Sequence, residues 1–152
     1  GASASKIGIT MSIMSLTTAI TSTQIGHLKK IYSHKQLLFF SIASYLVALI
    51  IIPLSYHYWS IILGIIIFGI GHGLMTPNFQ TMLVSYATIN ERAAFMSVNA
   101  MVLRIGQTVG PLLIGICYSM GNLRTSFFGG AAMAVIMFFV LIFFIQEPPK
   151  SE

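Results

Sequence analysis

Apolar residues run along this chain in five continuous blocks separated by short polar stretches. The blocks cover about Lys6–Ile25, Gln36–Leu54, Tyr58–Leu83, Ala93–Cys117 and Thr125–Ile145. Each reaches or approaches the ~20 residues that an α-helix needs to cross ~30 Å of hydrocarbon. Membrane β-strands would alternate apolar and polar positions, and these blocks do not, so a β-barrel is excluded. The pattern predicts an all-α fold: a polytopic bundle of five transmembrane helices over residues 1–146, followed by a short tail, 147–152.

Polar positions inside the blocks set the helices apart. The second block (LLFFSIASYLVALIIIPLS) and the fifth (SFFGGAAMAVIMFFVLIFFI) are apolar nearly all round, which suits a lipid-facing helix. The first carries nine hydroxyl or amide residues from Thr10 to Gln24, of which Thr10, Thr17, Thr21 and Gln24 share one helical face. The third carries Gly64, Gly69, Gly71, His72, Gly73, Thr76, Pro77, Asn78 and Gln80. The fourth carries Ser97, Asn99, Arg104, Gln107 and Thr108. Polar side chains within a membrane turn away from lipid. Helices one, three and four are therefore expected to line an interior, with two and five outside.

Composition supports the membrane reading. The 152 residues are 56% hydrophobic and 7% charged, against about 25% charged residues in soluble domains. The net charge of +5 does not indicate nucleic acid, because no basic face with interleaved aromatics exists. The cations instead mark an orientation. Lys29, Lys30 and Lys35 after the first helix, Arg92 after the third and Lys150 in the tail lie on one side; Lys6 and Arg124 lie on the other. The first side is expected to be cytoplasmic. Tyr56, Tyr58 and Trp59 form an aromatic belt on the outer side. Cys117 is the single cysteine, and the chain begins with Gly rather than Met, as expected of a piece of something longer or of a processed product. No Asp-His-Ser set, HExxH spacing or cysteine pair is present, so no catalytic residue, metal or cofactor is expected.

The densest chemistry is Arg104-Ile-Gly106-Gln107-Thr108-Val-Gly110-Pro111-Leu-Leu-Ile-Gly115. Arg104 lies about a dozen residues into its helix, ~16–18 Å deep, too far for easy snorkelling. An intramembrane charge marks a substrate or ion path, or else a structural arginine bonded to carbonyls. Gly106 and Gly110 make a small-xxx-small face for close helix approach, and Pro111 should kink the helix. Gln107, Asn99, His72 and Asn78 are the further cavity candidates. For His72 the reading is divided between an imidazole that carries protons or touches substrate and one that packs. Gly69, Gly71, Gly73, Gly106, Gly110 and Pro111 are expected to serve packing and hinge motion.

An odd number of helices starting outside, a basic loop after the first and a Gly-Pro step in the fourth resemble the C-terminal half of a major facilitator superfamily transporter. The chain looks like helices eight to twelve of that family. Gly69-Ile-Gly71-His72-Gly73-Leu-Met-Thr-Pro77-Asn78 looks like its glycine-rich tenth helix, and Arg104–Gly115 is similar to the eleventh helix of drug and metabolite exporters. Gly26-His-Leu-Lys-Lys30-Ile-Tyr-Ser33-His34-Lys35 occupies the place of the family's loop motif, with Lys30 at its Asp position and Ser33 at its second Gly. The resemblance implies secondary transport of a small-molecule substrate, export in exchange for protons, a multi-pass site in the cell membrane (a bacterial inner membrane), and an N-terminal half of the same transporter as partner across the cavity. A non-transporting membrane scaffold or assembly subunit is the alternative that five packed helices also permit.

Overall fold

The computed structural model describes residues 3–144. The tail expected at 147–152, with the Lys150 used in orienting the chain, and Ile145 at the end of the fifth block fall outside them. Six helices follow one another: α1 Ala4–Thr23, α2 Ile25–Ile31, α3 His34–Leu54, α4 Tyr58–Tyr86, α5 Arg92–Ser119 and α6 Leu123–Phe144. The five long ones match the five apolar blocks, with ends moved by no more than three residues. Helix α2 was not expected. It occupies most of the stretch after the first block that its lysines mark as a loop; after Gln24 alone the chain resumes as helix, and only Tyr32 and Ser33 separate α2 from α3.

Local chemistry fixes the helix starts. Ser33 Oγ accepts the Gln36 N–H at 3.3 Å while the Ser33 N–H donates to Gln36 Oε1 at 3.0 Å. This reciprocal pair is a capping box, and the Ser-x-x-Gln spacing encodes it. At α6 the Thr125 N–H donates to Asn122 Oδ1 at 3.2 Å, and the Asn122 N–H donates to Thr125 Oγ1 at the same distance.

Helices α3, α4, α5 and α6 are both long and apolar enough to cross a membrane. Helix α1 has the length, 20 residues or ~30 Å, but its hydroxyl-rich composition leaves it outside that set. It is held by α4 instead. The glycines of α4 form two stripes on opposite faces. Gly64 and Gly71, seven residues apart, face α3: a Cβ on Gly71 would meet the Ser41 carbonyl oxygen at 2.9 Å. Gly69 and Gly73, four apart, face α1: a Cβ on Gly73 would meet the Thr18 carbonyl oxygen and Thr21 Cβ, both at 2.7 Å. Glycine is required at Gly71 and Gly73 by the approach of another backbone.

The α1–α4 seam also solves a proline problem. Pro77 has no N–H, so the Gly73 carbonyl one turn earlier has no i+4 donor. Ser22 Oγ donates to that carbonyl at 3.2 Å, and Thr18 Oγ1 donates to the Gly69 carbonyl at 3.3 Å. Two hydroxyls of α1, Thr18 and Ser22, thus reach α4 backbone, and Ser22, which also contacts the Thr18 carbonyl of its own helix at 2.8 Å, supplies the partner that the freed Gly73 carbonyl requires in hydrocarbon.

Helix α3 lies between α4 and α6. Leu38 and Ile42 of α3, Met82 of α4 and Leu141 of α6 form the buried core, with Phe39 set edge-on to Phe138 at 5.0 Å between ring centres. This corrects the expected layering. Helix α3 was placed outside for its apolar circumference, yet Leu37, Leu38, Ser41, Ile42, Ala48 and Pro53 are all buried. An apolar surface packs equally well on lipid or on protein, so polarity cannot rank the two. Conversely α1 has no fully buried residue and α5 has one, Asn99. Helix α5 touches α6 near Ile114 and Cys117 and meets α4 only lightly. It runs without interruption through Pro111.

Candidate functional site

Arg104 lies 12 residues into a 28-residue helix, ~18 Å from its start. Its Nη1 donates to Gln107 Oε1 at 3.1 Å, and its carbonyl accepts from Thr108 Oγ1 at 3.0 Å. The i,i+3 spacing puts the two side chains on one flank of α5. Both are exposed. Because Gln107 uses its carbonyl oxygen on the guanidinium, its amide NH2 and the other guanidinium N–H groups remain outward-facing donors. The pair therefore offers positive charge and hydrogen-bond donors, which suits an anionic or acceptor-rich group.

The glycine notch beside it has no neighbour. A Cβ added to Gly106 or Gly110 would meet nothing within 4 Å. Among the described residues, no element makes the close approach expected there. The carbonyl of Gln107, four residues before Pro111, lacks its i+4 donor for the same reason as Gly73.

The other candidates are held elsewhere. His72 is exposed, with Nδ1 at 2.8 Å from Tyr45 Oη of α3 and its ring stacked on Phe68 at 6.4 Å and 11°. It engages α3 through Tyr45. Asn78 is fully buried, at 0% exposure. Its Nδ2 donates to the His34 carbonyl at 2.8 Å, and its Oδ1 lies 2.7 Å from His34 Nδ1. The carbonyl fixes which end of the amide is NH2, so Oδ1 is the acceptor and His34 Nδ1 must carry the proton. Asn78 is a clasp that ties α4 to the first residue of α3. Asn99 lies between α4 and α5, 8% exposed.

The loop-motif residues divide. Gly26 and Lys30 are exposed, and a Cβ on Gly26 would meet nothing. Lys35 Nζ donates to the Ile142 carbonyl at 3.3 Å, a cationic cap on the last turn of α6. Burial holds the neighbouring Lys29 ammonium below the usual lysine range. Ser33, at the motif's second glycine position, serves as the N-cap of α3. At the opposite end of the bundle, Lys6 lies over the Tyr58 ring at 5.6 Å and Arg124 over the Tyr56 ring at 5.5 Å. The two cations assigned to that side each use a tyrosine of the aromatic belt.

The structure pairs Arg104 with Gln107, two residues that the sequence names separately as cavity candidates, and it gives roles to His34 and Ser33 that the sequence reading did not foresee. The Ser33-x-x-Gln36 spacing was a readable signal for the cap. No local signal announces the His34–Asn78 clasp, whose partners are 44 residues apart.

Comparison with known proteins bears on the whole chain. A multidrug resistance protein of Proteus mirabilis, MdtG, is 25% identical over 140 residues, covering 92% of this chain and 35% of that protein. The chain thus spans about a third of the length of this curated relative. The family model described as Major Facilitator Superfamily matches residues 1–152. With an all-helical bundle, four membrane-length apolar helices and a match along its full length, the chain belongs to the Major Facilitator Superfamily of membrane transporters.

Proposed function

We propose that the chain forms part of a secondary active exporter of drugs or small metabolites, working by proton antiport across a cell membrane, in a bacterium the inner membrane. In this reading two halves rock around a midplane cavity, and the partner half of the same transporter supplies the opposite wall. The observation that carries it is the Arg104–Gln107 pair: a cation and an amide, half-way along a membrane helix, exposed and donating outward. Such a group is costly in lipid and is retained where it meets substrate or a carboxylate across a cavity. The relative's description as a multidrug resistance protein supports the substrate class.

The test is efflux from cells expressing the longer protein that contains this chain. Arg104→Ala and Arg104→Gln are expected to lower the efflux rate at least about tenfold, the effect of losing one charge-assisted hydrogen bond, while Arg104→Lys retains part of it. Unchanged efflux in all three sinks the cavity role for Arg104. The 152-residue chain alone, reconstituted in liposomes, is expected to show no substrate-dependent flux. Flux above that of protein-free vesicles overturns the reading that a second half completes the cavity.

A further inference from the structure

Helix α2 joins two helices that lie on opposite faces of α4, and it packs on α4 itself. Its residues divide by burial. Ile25, Leu28 and Lys29 are half-buried, whereas Gly26, His27, Lys30 and Ile31 are exposed. The split follows helical geometry, because positions i, i+3 and i+4 share one face. Beyond α2 the chain stays close to the bundle. The Tyr32 ring is edge-on to Phe40 with centres 5.5 Å apart, and Phe40 is six residues into α3, ~9 Å along its axis. Both rings are exposed, Phe40 by 51%, so on a membrane-length helix they face lipid. Tyr32 thus reaches from the end of α2 down the lipid-facing flank of α3, as an interfacial tyrosine does. That places Lys29 and Lys30 at the level of the headgroups.

Lys29 is the unusual member. It shares the packed face of α2 with Ile25 and Leu28, so its stem lies on apolar surface while its ammonium reaches back toward water. Burial disfavours its charge, and no acid offsets this. Glu91 is the single carboxylate among the described residues, and it accepts from Thr88 Oγ1 at 2.7 Å. Among those residues neither Lys29 nor Lys30 has a hydrogen-bond or ion-pair partner. Lys35, by contrast, is engaged by the Ile142 carbonyl. Two adjacent ammonium groups without a counter-ion, beside an exposed apolar ledge, complement a phosphate that is carried on acyl chains.

We propose that α2 and the residues after it form a binding site for an anionic phospholipid, with the phosphate on the Lys29 and Lys30 ammonium groups and an acyl chain along Ile31, Tyr32 and Phe40. A zwitterionic lipid offers the same chains and phosphate but brings its own cation, which the lysines repel. A free phosphate matches the charge and leaves the apolar ledge uncovered. The site uses no residue of α5 and does not rest on the transport reading.

The longer protein that contains this chain is placed in phosphatidylcholine nanodiscs with a trace of phosphatidylglycerol that bears a diazirine on one acyl chain. A parallel sample carries phosphatidylcholine with the same diazirine. Peptide mapping is expected to place the phosphatidylglycerol label on residues 25–40, in excess over phosphatidylcholine by roughly twentyfold, about fivefold for each cation. Lys29→Gln and Lys30→Gln should each lower that excess about fivefold. Lys29→Arg and Lys30→Arg should keep it, and Arg104→Ala should leave it unchanged; helical circular dichroism verifies that each variant is folded. Inorganic phosphate, at an ionic strength matched with chloride, should not displace the label. Equal labelling by the two lipids, or an excess that survives both glutamine substitutions together, identifies a solvated basic face and overturns the proposal. Displacement by inorganic phosphate does so too, by showing an anion site that needs no lipid. An excess that emerges only after Glu147→Gln with Glu152→Gln also overturns it, because the tail carboxylates are then the counter-ions.

Discussion

At the scale of single residues, the glycines separate two meanings that look alike in sequence. Gly69-xxx-Gly73 and Gly106-xxx-Gly110 have the same spacing and the same apolar setting. The first is filled by the backbone of α1 and the second faces open space. Gly73→Ala drives a Cβ against a carbonyl oxygen that belongs to a helix backbone and cannot swing aside. It is expected to destabilise the chain by roughly 1–3 kcal/mol, the usual cost of overpacking. Gly106→Ala meets nothing and gains helix propensity of up to about 1 kcal/mol. Denaturant titration of the two variants in mild detergent separates them; equal stabilities would show that the α1–α4 approach is looser than described. The motif was legible in the sequence and its occupancy was not, because small-xxx-small spacing specifies where a helix can come close and carries no information on which helix does. Arg104 and Gln107 are different. Their meeting follows from i,i+3 geometry on one helix and needed no tertiary knowledge.

At the scale of elements, helix positions were readable because length and continuous apolarity are local properties. Two readings failed for reasons that are not local. Helix α2 was missed because three lysines and two histidines around Gly26–Lys35 dominate any charge count, although Ile25, Leu28 and Ile31 keep a helical i, i+3 spacing beneath them. The outward placement of α3 failed because its apolar surface suits α4 and α6 as well as lipid. Polar content predicted contact more reliably where a specific bond exists, as on α1. That bond is testable as a cycle. Ser22→Ala removes the donor that serves the Gly73 carbonyl and is expected to cost about 1–2 kcal/mol. Pro77→Ala returns the backbone N–H that Gly73 lacks. In the double variant the loss from Ser22→Ala should shrink to a few tenths of a kcal/mol, measured by the same titration. Additive costs would mean that the hydroxyl serves Thr18 alone, whose carbonyl it also contacts at 2.8 Å.

At the scale of the whole molecule, packing is uneven among the described helices. Helices α1, α4, α3 and α6 follow one another as neighbours, and α5 leans on the end of the series with most of its surface open. The polar residues of greatest chemical interest lie on that open helix. The sequence could not show that α5 is the least enclosed of the described long helices, since enclosure depends on every other helix.

The hydroxyl seam between α1 and α4 has a consequence for how the protein is made. Synthesis produces α1 before α4, and α1 is the long helix, among those described, that is not apolar enough to count as a membrane span. The carbonyls that accept its hydroxyls, on Gly69 and Gly73, are 51 residues further along the chain. During that interval α1 has no interhelical partner from α4 to offset the cost of placing its serines and threonines in hydrocarbon. Stable insertion of α1 is therefore expected to wait for α4. Glycosylation mapping of nascent chains should find α1 poorly inserted when the chain stops at Tyr32 and efficiently inserted when it extends past Tyr86. Equal insertion of the two lengths would show that α1 enters the bilayer on its own, and that the seam forms only afterwards, as packing.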